Sequence, residues 1–177
     1  MAPPLNPDSL PGLGVLEQTP IILERLVALA SDEQLAWKPA PQRWSISEVL
    51  AHLADVEVPG FRERIEKMAR ERLPRLAYYD QEAKAAAGEY SRGSAREHLK
   101  HFCHERDRSV SWLRYQPASL AAAEGEHERC GRITVAHLMN EWAFHDLGHI
   151  RQIAELLRAR AFYPHMGPFQ SSYQIHP

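Results

Sequence analysis

His145 and His149 stand four residues apart in Trp142-Ala143-Phe144-His145-Asp146-Leu147-Gly148-His149-Ile150-Arg151-Gln152. In a helix this spacing stacks both imidazoles on one face, one turn apart, where they can hold a single cation. The same stripe carries Leu138, Trp142, Ile153 and Leu156, so the pair should face a core. Imidazoles on a buried stripe need hydrogen bonds or a metal to offset their desolvation. His52 is the nearest candidate for a third ligand, because it shares a helix face with Val49 and Val56. Three neutral imidazoles suit zinc, nickel, copper or ferrous iron. Three protein ligands also leave positions open for water or substrate, which is the catalytic pattern. An HxxxH pair alone reads equally as helix packing or surface decoration. Gly148 costs roughly 1 kcal/mol relative to alanine inside a helix, and it predicts the close approach of another helix or a ligand. Glu141, Asp55 and Gln152 are possible partners or bases behind the ligands, although Glu141 and Asp55 read first as helix-surface charges.

The elements that must position these residues are helical. Residues 1–18 form an extended lead-in with four prolines, and Thr19-Pro20 reads as a cap and first helical position. A first helix follows to about Ala30, with Ile22, Leu26 and Leu29 inward. The connector 31–44 holds Trp37 and Trp44 as wedges, and Ser45-Ile46-Ser47-Glu48 is a capping box. The second helix runs from about Ile46 to Leu73, with Pro59-Gly60 as a kink or a split. Residues 75–93 allow a short helix. A capping box at Ser94 opens a third helix to about Tyr115, carrying Leu99, Phe102, Val110 and Leu113. Residues 116–133 show no strand-like alternation. Thr134 caps the last helix, which runs to about Arg160, and the aromatic tail 161–177 should pack on the bundle or on a neighbouring subunit. The fold class is therefore all-α, a four-helix bundle with long connectors in a single domain spanning 1–177.

Composition narrows the function. The chain is 44% hydrophobic with a net charge of −2, which gives no basic footprint for nucleic acid. The basic run Arg62–Arg75, with six Lys/Arg against three Glu, reads as a solvated face. No apolar run approaches a membrane span, and no signal peptide is visible. Two cysteines, Cys103 and Cys130, fit a reducing compartment, so a cytoplasmic location is expected. His98, His101 and His104 drift around their helix among Glu97, Lys100, Glu105 and Arg106, so solvent exposure is expected for that group. His127, His137, His165 and His176 are not expected as primary ligands.

The segment Trp44-Ser45-Ile46-Ser47-Glu48-Val49-Leu50-Ala51-His52-Leu53-Ala54-Asp55, then Thr134-Val135-Ala136-His137-Leu138, then His145-x3-His149-x2-Gln152, resembles the DinB-like superfamily. The similarity runs in register from about residue 20 to 160 and is carried by the order and spacing of these short motifs. The resemblance implies a bundle in up-down-down-up order, frequently a homodimer. It also implies a divalent transition metal, zinc or nickel, held by His52, His145 and His149. Some members of the family are S-transferases using a low-molecular-weight thiol such as bacillithiol, mycothiol or glutathione. Others are metal-dependent hydrolases, and a non-enzymatic metal-binding stress-associated dimer is a third possibility. The leading expectation is a thiol S-transferase acting on a small-molecule electrophile.

Overall fold

The first helix, α1 (Leu13–Val27), starts six residues before Thr19. A computed structural model describes residues 10–177, so the first half of the expected lead-in lies outside the described residues. Gly12 precedes α1 in the left-handed region (φ 76°), and a Cβ there would stand 2.9 Å from the Met139 carbonyl oxygen. Close approach to the last helix thus requires glycine at this point. Pro20 lies inside α1 and cannot donate to the Leu16 carbonyl. The Arg106 guanidinium donates to that carbonyl instead, at 3.1 Å. The Thr19 hydroxyl, read from sequence as a cap, reaches Asp146 Oδ2 at 2.7 Å. Because the buried face of α1 runs Leu16, Thr19, Leu23, Val27, its period passes through a polar residue. Ile22 and Leu29, expected inward, are exposed.

Ser31 closes a capping box on the short α2 (Asp32–Ala36) and Ser45 closes another on α3 (Ile46–Val56). A π-helical turn, Glu57–Arg62, accommodates Pro59 and joins α3 to α4 (Glu63–Arg70) without breaking the rod. The following crossover contains β1 (Arg75–Leu76) and α5 (Gln81–Ala86). The third bundle helix, α6 (Ala95–Arg114), begins at a Ser94 capping box. The next connector, expected to lack strands, folds into a hairpin of β2 (Glu124–His127) and β3 (Gly131–Thr134). With β1 parallel to β2, these form a small three-stranded sheet. Four-residue strands of mixed polarity, shaped by backbone pairing and a left-handed Gly131, leave little alternation to read. Thr134 caps α7 (Val135–Leu157), with His137 closing the capping box. A π-helical turn and short 3₁₀ turns form the tail.

The bundle helices are α1, the α3–α4 rod, α6 and α7. Leu16 and Glu17 meet Arg106 and Arg114, whereas Glu24 meets Cys103, so α1 and α6 are antiparallel. Gly12 approaches Met139 and Thr19 meets Asp146, so α1 and α7 are parallel. His52 faces His149 while Phe61 stacks on Trp142, which makes the α3 rod antiparallel to α7. The order is up-down-down-up, and the two helices running the same way need the long crossover 71–94 between them.

The core has two apolar clusters, one around Leu16, Ile65, Leu113 and Trp142 and the other around Leu23, Leu50, Phe102 and Ile153. A polar layer separates them. Arg106, 1% exposed, donates through Nε and Nη2 to the two Glu57 carboxylate oxygens (2.9 Å each). It also donates through both terminal nitrogens to Asp146, and through Nη1 to the Leu16 carbonyl. All five guanidinium N–H groups are satisfied. Arg106 and Glu105, expected among solvated charges, are both buried. Glu105 pairs with Arg62 at 2.7 Å.

Replacing Arg106 with Met leaves two buried carboxylates without their cation. The expected loss is about 3–5 kcal/mol, read as a lowered urea midpoint of the metal-free protein.

Candidate metal centre

The capping box at Ser45 fixes the start of α3, which places His52 two turns in, wholly buried against the bundle interior. From α7, His145 and His149 approach it on the same level. His145 Nε2 lies 3.0 Å from His52 Nε2 and 3.2 Å from His149 Nε2. One nitrogen of each ring falls within 4.8 Å of the other two, and this is a group that could hold a metal ion. Nitrogens about 2.0–2.1 Å from one tetrahedral zinc ion stand about 3.3 Å apart, close to the spacing seen.

The outward nitrogens explain why the rings aim as they do. His149 Nδ1 meets Gln152 Oε1 at 2.9 Å, an acceptor that places the proton on Nδ1 and leaves Nε2 a lone pair. His52 Nδ1 is 3.4 Å from the Tyr90 hydroxyl, and Tyr90 in turn reaches Asp55 Oδ2 at 3.3 Å. The Tyr79 hydroxyl also donates to Asp55, and Lys84 pairs with it at 2.9 Å. Tyr79 and Lys84 hold the Asp55 carboxyl below the ordinary carboxylate value despite its burial. Asp55 therefore stands behind His52 through Tyr90 and does not touch the imidazole nitrogens that converge. His145 Nδ1 is buried without a partner.

Burial, reinforced by the neighbouring rings, pushes the His52 imidazole down to about 3 and His145 to about 2. Burial lowers His149 as well, opposed by Gln152 and Asp146. Three neutral rings whose lone pairs point at one another have no internal donor that satisfies them all. A shared cation does, and the donor set fits a divalent transition metal.

Phe61 stacks on Trp142 (4.8 Å between centroids) and meets His145 edge-on, forming an apolar floor beside the rings. Above them opens a cavity of about 800 Å³, lined by Arg43, Glu141, Phe144, Gly148, Arg151 and Gln152 among others. Gly148, expected to receive a helix or a ligand, has nothing within 4 Å of a Cβ position and faces this open space. Glu141 lies on the cavity wall, one turn before His145. His176 and Gln174 of the tail also line the cavity, and the His176 amide donates to Glu155 at 2.9 Å.

The remaining histidines stay apart from the triad. His101 and His104 are exposed, and His127 accepts the Arg129 and Cys130 amides within the hairpin turn. Tyr90, Tyr79, Lys84 and Arg106 were missed by sequence reasoning. The first three sit in a crossover without periodicity, and Arg106 is one charge among many on its helix.

A model of the DinB superfamily matches residues 16–153. Among solved structures the chain is similar to YfiT from Bacillus subtilis, described as a probable metal-dependent hydrolase with an unusual four-helix bundle topology. The likeness has a TM-score of 0.75 at 23% identity, covering 84% of this chain and 85% of that one. No curated protein matches the chain.

Tyr90→Phe and Gln152→Ala each remove a group behind a ring nitrogen, with an expected 10–100-fold loss of zinc affinity in competition with a chromophoric chelator. In the metal-free protein, unfolding lets His52 take a proton below its ordinary value of 6.5, while the folded chain resists down to about 3. Stability should therefore fall as pH drops through this window. The expected slope is about 1.4 kcal/mol per pH unit from His52 alone, measured by urea unfolding across pH 4–7.

Proposed function

The chain belongs to the DinB superfamily, and we propose that it is a metal-dependent transferase that joins a low-molecular-weight thiol to a small electrophile. His52, His145 and His149 would hold the ion, zinc or nickel. When bound, such an ion supplies a Lewis acid that makes an adjacent thiol or water acidic near neutral pH.

One observation carries the reading: the main cavity meets two of the triad histidines, yet among the described residues no Ser, Thr or Cys lines it. That lining favours a nucleophile brought in as substrate, and the volume suits a small organic molecule and not water alone. Arg43 and Arg151 on the wall suit the carboxylates of an acidic thiol. Glu141 stands where it can accept the thiol proton. The sulfur then forms the new S–C bond while the leaving group departs with its bonding pair, and the proton passes from Glu141 to solvent. Phe61 and Trp142 exclude water from the floor of the site.

A hydrolase is the second reading, favoured by the description of YfiT. There water takes the place of the thiol, and the same Glu141 accepts its proton.

The purified protein should carry one equivalent of zinc or nickel by elemental analysis, and His149→Ala should lose it. The loaded protein should consume bacillithiol, mycothiol or glutathione with an electrophile such as monochlorobimane. Glu141→Gln should slow that reaction roughly 10²–10⁴-fold. Cleavage of simple esters or amides without thiol consumption would select the hydrolase.

A further inference from the structure

A second cavity, of about 300 Å³, lies on the other side of the same wall. It shares His145 and Glu141 with the main cavity, so both open onto one edge of the triad. Its own lining comes from different elements, among them Phe61 from the π-helical turn, Arg64 from α4, Tyr78 and Tyr79 from the crossover, and Arg129 and Cys130 from the hairpin turn. The two long connectors meet here.

Two features give this cavity its chemistry. The Arg129 guanidinium carbon lies over the Tyr78 ring, 3.5 Å from the centroid, which places a cation at the wall. Arg64 is half-buried and donates to the Ala77 carbonyl at 2.7 Å. Neither arginine forms an ion pair among the described residues, although Glu141 lines the same cavity and Glu128 accepts the Tyr78 amide nearby at 2.7 Å. Beyond Arg64, Tyr78 and Tyr79 the cavity continues into a surface groove that adds Lys67 and Arg75, with Glu63 as its one carboxylate. Three cations of the run read from sequence as a solvated face, Arg64, Lys67 and Arg75, thus line an approach to the back of the triad. A positive approach of this kind raises the arrival rate of small anions.

We propose that this rear cavity is a separate binding subsite for the second substrate, a small organic anion with a flat apolar body. Its carboxylate lies between Arg64 and Arg129, and its body lies against Tyr78, Tyr79 and Phe61. The thiol occupies the main cavity, so the two reactants reach the His145 edge from opposite sides. This deepens the transferase reading and rests on it only for the identity of the reaction. Binding of the anion needs no turnover.

The test is a saturation-transfer NMR titration of the zinc-loaded full chain with benzoate, with and without glutathione. Benzoate should bind, and Arg129→Gln and Arg64→Gln should each raise its dissociation constant roughly tenfold. Both variants should keep the parent's zinc stoichiometry. Arg129 is exposed, so its replacement also controls for misfolding caused by the Arg64 change. Arg151→Gln, in the main cavity, should leave benzoate binding unchanged. Glutathione at saturation should not displace benzoate. The subsite is overturned if benzoate fails to bind, if neither rear arginine affects it, or if glutathione competes with it. Intact benzoate binding in a protein that consumes no thiol would overturn the transferase reading and leave the subsite standing.

Discussion

The bundle depends on one buried guanidinium. Arg106 is the group on which α1, the α3–α4 rod, α6 and α7 all converge, through the Leu16 carbonyl, Glu57 and Asp146. A buried ion costs several kcal/mol of desolvation, and only complete pairing makes it tolerable. That demand fixes register. A slip of any one helix would strand a donor or a carboxylate between two apolar clusters, so the layer specifies one arrangement of four helices that hydrophobic packing alone would leave looser.

The same demand aims the histidines. Successive residues on a helix turn by about 100°, so Asp146 is rotated about 100° from His145 and about 60° from His149, enough to aim it at a different neighbour. Once Asp146 is drawn to Arg106 and Thr19, His145 and His149 are turned towards His52 on the α3 rod. Asp146 and His145 are neighbours in sequence with separate tasks, one holding the register and the other using it. Burial, and after it the proximity of Asp146, raise the Glu57 carboxyl against the pull of Arg106.

Much of this was legible in the chain because it is written in local spacing. Capping boxes at Ser45 and Ser94 and the cap at Thr134 set three of the four bundle helices, and the four-residue interval brought His145 and His149 onto one face. The failures have a common cause. Thr19-Pro20 looks like a helix start because capping is a local rule, yet its partners are Asp146 and Arg106, more than eighty residues away. Arg106 looks like a surface charge because nothing near it in sequence reveals Glu57. Asp55 was noticed one turn from His52, but the Tyr90 that joins them comes from a crossover whose only organisation is tertiary. Gly148 was read as receiving another helix or a ligand, and the space it leaves belongs to the cavity and not to a helix.

The division of labour between bundle and connectors follows from these distances. Helices supply the three converging nitrogens and the charge layer, which tolerate little movement. The connectors supply what surrounds them: Tyr90 and Tyr79 behind His52, Arg43 at the main cavity, and Arg129 with Tyr78 at the rear. Up-down-down-up order requires a long crossover between the two helices that run the same way, and that crossover carries the tyrosines. Length that topology demands thereby supplies both walls of the site and the hydroxyl behind His52 Nδ1. Register and enclosure thus rest on different parts of the chain, with Arg106 and its carboxylates on the bundle helices and the tyrosines on the crossover.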